Sequence, residues 1–559
     1  YGSILEVQKI DIDKINNKIN YVKNKKINLL DSKNSYVIVN NFISLLKQYK
    51  LFNSKYDVCV TNPPYIGCKG INNKLKNYIE KNFKKVKYDL FSVCIERNLK
   101  YTKEYGNLGF MTPFVWLFIS SYENLRNIVT IENSITSLIH LEYSAFEDAT
   151  VPLCTFTLRK SIENENGIYI RLSEFTGGMK VQEEKFLESI NFNDCRFKYI
   201  TNARNFKIIF GNPIAYWASN KIFEAFINGK PFGTYGETKK GILTGNDSMF
   251  VRLWSEVKYN KICFTSKKYT DMLYSGKKWF PITNGGNYRK WYGNFESIVN
   301  LENDAYEIKN NTKNNFRLRD NKYYFKKSLT WTEVSSKAFS IRLVPEGIVF
   351  GNGGPTCFFT DNNNANYFLG LLNSKVVASI LKILAPTINF GPEQIKRIPC
   401  IIDRNPGVDK LSSENICISK KEWDSFETSW DFEEHPIIEF KSNNIENSFK
   451  NWSYFAEKQF NQLKSNEEEL NRIFIDIYGL QDELTSEVEE KDITIRKADR
   501  DREMKSFISY AVGCMVGRYS LDEEGLVFAG GEFDIDRYKT FKADKDAIIP
   551  ITDMEYFED

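Results

Sequence analysis

Two consecutive prolines placed directly after a short apolar run constrain this chain more than any other feature. Residues 56–60, Tyr-Asp-Val-Cys-Val, are β-branched and apolar enough for a strand buried in a parallel sheet. Thr61, Asn62, Pro63, Pro64 and Tyr65 follow, and the prolines end the strand because neither can donate an N–H to a ladder. A polar amide and an aromatic ring are thereby left at the carboxyl end of a strand, where open α/β sheets bind their ligands. The plain structural alternative is a Pro-rich turn whose Asn caps a helix.

These residue types share a chemistry. The amino group on C6 of adenine is a poor nucleophile, because its lone pair is delocalised into the ring. Two acceptors for its N–H protons, the Asn62 side-chain oxygen and the Pro63 main-chain carbonyl, favour the pyramidal, attacking form. The Tyr65 ring offers a flat face to a base that has left its duplex, a step costing a few kcal/mol of unstacking. The paired prolines hold the acceptors in place.

Asn62-Pro63-Pro64-Tyr65 resembles the catalytic motif of amino-methylating DNA adenine methyltransferases. From about Tyr56 to the C-terminus the chain resembles the adenine methyltransferases of BREX phage-exclusion systems, most particularly at residues 520–527 and 530–533. It is more distantly similar to fused type II restriction-modification enzymes. The resemblance implies methyl transfer from S-adenosyl-L-methionine to the N6 amine of a flipped adenine in double-stranded DNA, within phage defence and beside other phage-defence proteins. It gives catalytic roles to Asn62, Pro63, Pro64 and Tyr65, and cofactor contacts to Asn62, Pro64, Asp89, Leu90 and Phe91. Phe146 becomes the second aromatic enclosing the base against Tyr65, where the alternative is a core Phe at a strand end. Tyr1-Gly2-Ser3 resembles the loop near the cofactor's adenine. Such enzymes place a Gly-rich strand-to-helix turn before the catalytic motif; none precedes Asn62, so the chain reads as a fragment. Two other readings stay open: a non-catalytic DNA-recognition component, and the methyltransferase part of a fused restriction enzyme. The second lacks an Asp…Glu-x-Lys nuclease arrangement here.

The expected fold class is α/β. A Rossmann-like class I methyltransferase domain, incomplete at its N-terminus, occupies residues 1–200. A mixed α+β target-recognition domain follows over 201–405, then a helical region over 406–559. In the first part, residues 15–41 read as an insertion and 42–49 as a short helix. Residues 89–97 read as an amphipathic helix opened by Asp89. Strands at 106–113, 137–142 and 151–157 suggest a doubly wound parallel sheet. Gly211 to Trp217 resembles the entry to the recognition region, and 367–384 reads as one apolar helix. Residues 449–480 form a long amphipathic helix ending at a Gly cap, and 491–518 a second helical stretch with a basic first half.

Local charge supplies the candidate DNA contacts, since a formal net charge of only +4 gives no global basic field. Lys74, Lys84 and Lys85 lie in a basic loop and helix beside the motif, suited to phosphates or to a solvated helix face. Asn287, Arg289 and Lys290 lie in a Gly-rich, aromatic loop suited to base edges and phosphates, with a tight turn as the alternative. Ten cysteines without a CxxC pair read as reduced, cytoplasmic thiols. Two histidines leave no metal site and disfavour Ser-His hydrolases. No run of about twenty apolar residues offers a membrane span.

Overall fold

The computed structural model describes residues 4–24, 29–143, 151–163, 165–192, 195–311, 315–361, 364–386, 388–403, 405–530 and 532–544. Contacts divide the chain into two units, Tyr1–Phe223 and Glu224–Asp559. The residues 406–559 expected to form a separate helical region share the second unit with the β-rich stretch before them.

The first unit opens with helices α1 (Ile12–Asn24) and α2 (Leu29–Asn53), which pack through Ile19, Val39 and Leu46. The short helix expected at 42–49 is thus the last part of a 25-residue one. Strand β1 (Tyr56–Thr61), helices α3 (Asn73–Asn82) and α4 (Leu90–Tyr101), strand β2 (Thr102–Pro113) and helix α5 (Glu123–Thr130) follow. Strands β3 (Ser134–His140), β4 (Leu153–Arg159) and β5 (Asn166–Arg171), helix α6 (Gly178–Asn191) and strand β6 (Lys198–Asn202) complete the unit's main elements. One six-stranded sheet results, in the order β1-β2-β4-β3-β5-β6.

The β1–α4–β2 segment is a parallel crossover, with Val60 opposite Gly109 and Thr61 opposite Phe110. One sheet face buries Leu108, Phe110, Leu138, Phe156 and Leu158, with α4 against β1 and β2 and α5 against β3. Two expectations need correction. The sheet is mixed: β4 inserts between β2 and β3 and runs antiparallel to both, whereas β1 and β2, joined through helix α4, are parallel. Strand β1 is an edge strand rather than a buried one. Val58 and Val60 are 59% and 75% exposed, and β2 alone pairs with β1 among the described residues.

Arg126, 1% exposed, binds this unit together. Its Nε and Nη2 donate to the Gly211 carbonyl at 3.0 and 2.7 Å, and Nη1 donates to the Trp116 and Ile119 carbonyls at 2.7 Å each. The 211–217 segment, expected at the entry to a recognition region, is accordingly part of the first unit. His140, at the end of β3, is buried with Nδ1 at 3.0 Å from the Tyr216 hydroxyl. Burial, reinforced by the nearby Arg171 charge, pushes its pKa down to about 3.

In the second unit, one four-stranded sheet joins Val349–Phe350, Trp279–Thr283, Ser297–Asn300 and Val251–Leu253. Another joins Ile341–Val344, Ser328–Trp331, Thr356–Phe359 and Gly236–Lys239. Gly285, at φ +84°, is required where the chain crosses itself: a Cβ there would sit 2.8 Å from the Gly353 carbonyl oxygen. The helix expected at 367–384 is two, Ala365–Leu372 and Lys375–Leu384, bent by 70°. Ser374 caps the second, and Asn373 turns its amide to the Ile341 backbone, donating to the carbonyl and accepting from the N–H at 3.0 Å each. No single described helix is long and apolar enough to cross a membrane. The 34-residue helix Ile445–Tyr478 ends at Gly479 in the left-handed region, φ +66°, as its sequence indicates. The following α-helix begins only at Arg500, capped by Asp499, so of the basic half of 491–518 Arg496 and Lys497 precede it and Arg500 and Arg502 lie in its first turn.

Arg289 and Lys290, expected on DNA, are instead buried ion-pair partners within this unit. Arg289 Nη2 lies 2.6 Å from Glu422, whose other oxygen takes Arg496 at 2.5 Å. Lys290 Nζ lies 2.6 Å from one Glu467 oxygen, and the Trp291 indole donates to the other at 2.7 Å. Lys290 and Glu467 are 7% and 4% exposed; burial opposes the ammonium, but the charge and hydrogen bond of Glu467 together with Tyr288 and Asp492 outweigh it and raise the Lys290 pKa. Asn287 stays exposed and accepts the Asn294 amide on its carbonyl at 2.9 Å.

Two stability measurements follow from these burials. His140 stays neutral in the fold while the unfolded chain binds a proton below about pH 6.5, so stability is full above that value. It then falls as pH drops toward 3, by about 1.4 kcal/mol per unit, and His140→Gln flattens that slope in urea unfolding across the acid range. Glu467→Ala strands a buried ammonium and lowers stability by about 3–5 kcal/mol in the same assay, whereas Lys290→Met with Glu467→Leu restores most of the loss.

Candidate active site

Strand β1 stops at Thr61, and the loop that follows displays its residues unequally. Asn62 and Pro64 are exposed, Pro63 is buried and Tyr65 is half-buried. The Tyr65 hydroxyl lies 2.7 Å from Asn62 Oδ1 and 3.1 Å from the Met111 carbonyl oxygen. A phenol has one hydrogen, so these are two acceptors for a single donor. In this arrangement the Asn62 oxygen, not its nitrogen, faces the tyrosine and accepts its hydrogen. One Asn62 lone pair remains for another donor.

The Tyr65 ring packs with Met111, Ile139 and Val151 against buried Leu141, Leu153, Ile170 and Leu172. Burial raises the Tyr65 pKa, so the hydroxyl keeps its proton and remains a donor. Sequence reasoning missed Met111 and this apolar wall. The signal was present in the alternation of Gly109, Met111 and Pro113, which share a face of β2.

The loop is tied to the start of α4. Gly67 and Asp89 form an antiparallel bridge, the Leu90 N–H donates to the Ile66 carbonyl at 3.1 Å, and the Cys68 N–H to the Tyr88 carbonyl at 3.3 Å. Asp89 caps α4 by accepting the Phe91 N–H at 3.1 Å. Burial raises the Asp89 pKa, against the pull of backbone N–H groups from Phe91, Ile66 and Leu90. Two stretches more than twenty residues apart in sequence are thus brought together, Asn62–Tyr65 and Asp89–Phe91.

Among the residues expected on the cofactor, Asn62 and Pro64 are open and Asp89 and Leu90 are partly so, a polar and apolar set that fits an adenosyl ligand. Phe91 does not fit that role by its ring, which is 1% exposed and lies 5.5 Å from Tyr122 in the core. Phe146 and Tyr1–Ser3 lie outside the described residues. The described residues near Phe146, Leu141 before it and Val151 after it, both belong to the cluster that holds Tyr65.

Lys84 and Lys85 are exposed beyond α3, and Lys74 is exposed on it. Lys85 borders an open groove of about 490 Å³ where it, Lys55, Lys100 and Lys160 meet Glu96, Glu104 and Glu132, so most of the groove's charge is offset. No group of three metal-ligating side chains occurs among the described residues.

Residues 3–146 match the family model of the Eco57I restriction-modification methylase. "Adenine-specific methyltransferase PglX" of Lacticaseibacillus casei (strain Zhang) is 37% identical over 535 residues, covering 92% of this chain and 44% of that protein. "Adenine-specific methyltransferase BrxX" of Escherichia coli O9:H4 (strain HS) is 34% identical over 547 residues, with the same coverage of 92% and 44%. The chain therefore spans less than half the length of these curated relatives. Among solved structures, the type IIL restriction-modification enzyme MmeI in complex with DNA aligns with a TM-score of 0.48 at 11% identity, over 81% of this chain and 57% of that one.

Tyr65→Phe tests the double-acceptor contact. Removing the hydroxyl leaves two acceptors without their donor and lowers stability by about 0.5–1.5 kcal/mol in chemical unfolding, with the ring still packed.

Proposed function

The chain is PglX-like in sequence over 92% of its length, and from that premise we propose that it belongs to a site-specific DNA methyltransferase. The enzyme transfers a methyl group from S-adenosyl-L-methionine to N6 of adenine in double-stranded DNA. The base is flipped out of the helix, and the reaction serves a BREX-type phage-defence system in the cytoplasm.

The observation that carries this reading is the pair Asn62 Oδ1 and Tyr65, held 2.7 Å apart at the carboxyl end of β1. Asn62 Oδ1, with one lone pair toward Tyr65, accepts an N6–H of the base on the other, and the Pro63 carbonyl accepts the second. Nitrogen then loses conjugation with the ring and directs its lone pair at the methyl donor. The cofactor supplies an electrophilic methyl group, and Asn62, Pro64, Asp89 and Leu90 would hold it. Tyr65 supports one face of the base and Phe146 the other; stacking of about 1–3 kcal/mol per base offsets much of the unstacking cost. The apolar wall of Leu141, Leu153 and Met111 behind Tyr65 excludes water from that side.

The β-rich stretch of the second unit, residues 224–405, fits target recognition, and its helices after residue 405 brace it through the Glu422 and Glu467 ion pairs. The test is transfer of labelled methyl from the cofactor to duplex DNA by the protein that carries this sequence. Asn62→Ala lowers the methyl-transfer rate by about 10²–10³ at saturating cofactor. Label in the DNA that is absent from N6-methyladenine, or an Asn62→Ala protein as fast as the parent, overturns the proposal.

A further inference from the structure

With Arg289 and Lys290 consumed inside the second unit, its route to a polyanion lies elsewhere. A groove of about 430 Å³ is bordered by Lys267, Lys322, Lys326 and Lys327. Phe325 and Phe358, 0% and 7% exposed, form its apolar floor with Tyr323. Two acids, Glu237 and Glu346, face four lysines there. Glu237 is already engaged, accepting the Tyr323 hydroxyl and Lys239 Nζ at 2.7 Å each.

The lysines are presented by an unusual backbone. Phe325 has φ +64°, a left-handed conformation that a bulky residue adopts at a cost on the order of 1–3 kcal/mol. Hydrogen bonds hold it: its N–H donates to the Ile348 carbonyl at 3.2 Å, and the Gly347 N–H donates to its own carbonyl at 3.1 Å. The reversal buries the Phe325 ring and leaves Lys326 exposed and Lys327 half-exposed. Many lysines elsewhere in this unit carry an acid within 4 Å, among them Lys278, Lys309, Lys420, Lys421 and Lys450. Lys267, Lys326 and Lys327 have no ion-pair partner among the described residues. Lys322 lies 3.3 Å from Asp320 and 4.9 Å above the Tyr323 ring, which steers its stem along the groove wall.

We infer that this groove is a contact site for the phosphate backbone of duplex DNA, with Lys267, Lys326 and Lys327 as its main phosphate ligands. Four lysines against two acids, one of which is engaged by Lys239 and Tyr323, leave the groove with a local positive charge, the complement of a phosphate rail. Lysine suits this task because it binds phosphate as a point charge and reads no base. The inference rests on the proposed methyltransferase activity only for the identity of the polyanion as duplex DNA.

Fluorescence anisotropy of the whole chain on a duplex of random sequence, repeated over a range of salt, tests it. Lys326→Ala with Lys327→Ala lowers the slope of log affinity against log salt by about 2 and weakens binding alike on all sequences. Lys450→Ala, which removes a surface lysine paired with Glu446, leaves the slope unchanged. Should the double variant fail to fold, Lys267→Ala on its separate loop lowers the slope by about 1. An unchanged slope in a folded variant overturns the inference, as does a chain that binds single-stranded RNA but not the duplex. Methyl transfer with an unchanged slope sinks the groove and spares the proposed activity; a lowered slope without methyl transfer does the reverse.

Discussion

The register of β1 against β2 fixes the position of everything in the candidate site. With Thr61 opposite Phe110, the next residue on each strand, Asn62 and Met111, must emerge side by side. Two prolines then forbid β1 from continuing, and the chain turns within reach of the Met111 carbonyl. A shift of one residue would move Asn62 to the other side of the sheet, away from the apolar wall that receives Tyr65. The Gly67–Asp89 bridge adds a second anchor, so the loop is held at both ends by backbone hydrogen bonds rather than by flexible side chains.

Much of this was legible in the sequence because it is local. The strand and its proline stop, the Asp89 cap and the Gly479 cap each depend on residues within a few positions of one another. What escaped depends on distant partners. Arg289 and Lys290 look like a basic loop in sequence, but their acids lie 133 and 177 residues away on helices that a local reading cannot place. The apolar run at 367–384 has helical periodicity throughout, and only the Asn373 pairing with Ile341 across the fold shows why it breaks. Strand β1 reads as buried because Val58 and Val60 are apolar, while the structure gives it a single neighbour. Phe146, placed by likeness alone, lies outside the described residues.

Charge is handled in two opposite ways in the second unit. Inside it, cations and acids close on each other with the water removed, and the cost of desolvation makes each pair intolerant of losing one member. At the groove around Phe325, strained backbone holds lysines outward without partners. The same residue type therefore serves cohesion in one place and readiness for an external anion in the other, and composition alone cannot separate the two.

The single proton offered to two oxygens at Tyr65 bears on what a hydrogen-bond donor would meet at Asn62. When an arriving donor claims the Asn62 oxygen, the phenol need not be orphaned, since the Met111 carbonyl at 3.1 Å stands ready to receive it. A donor arriving at Asn62 would therefore add a hydrogen bond without costing the half-buried phenol its own.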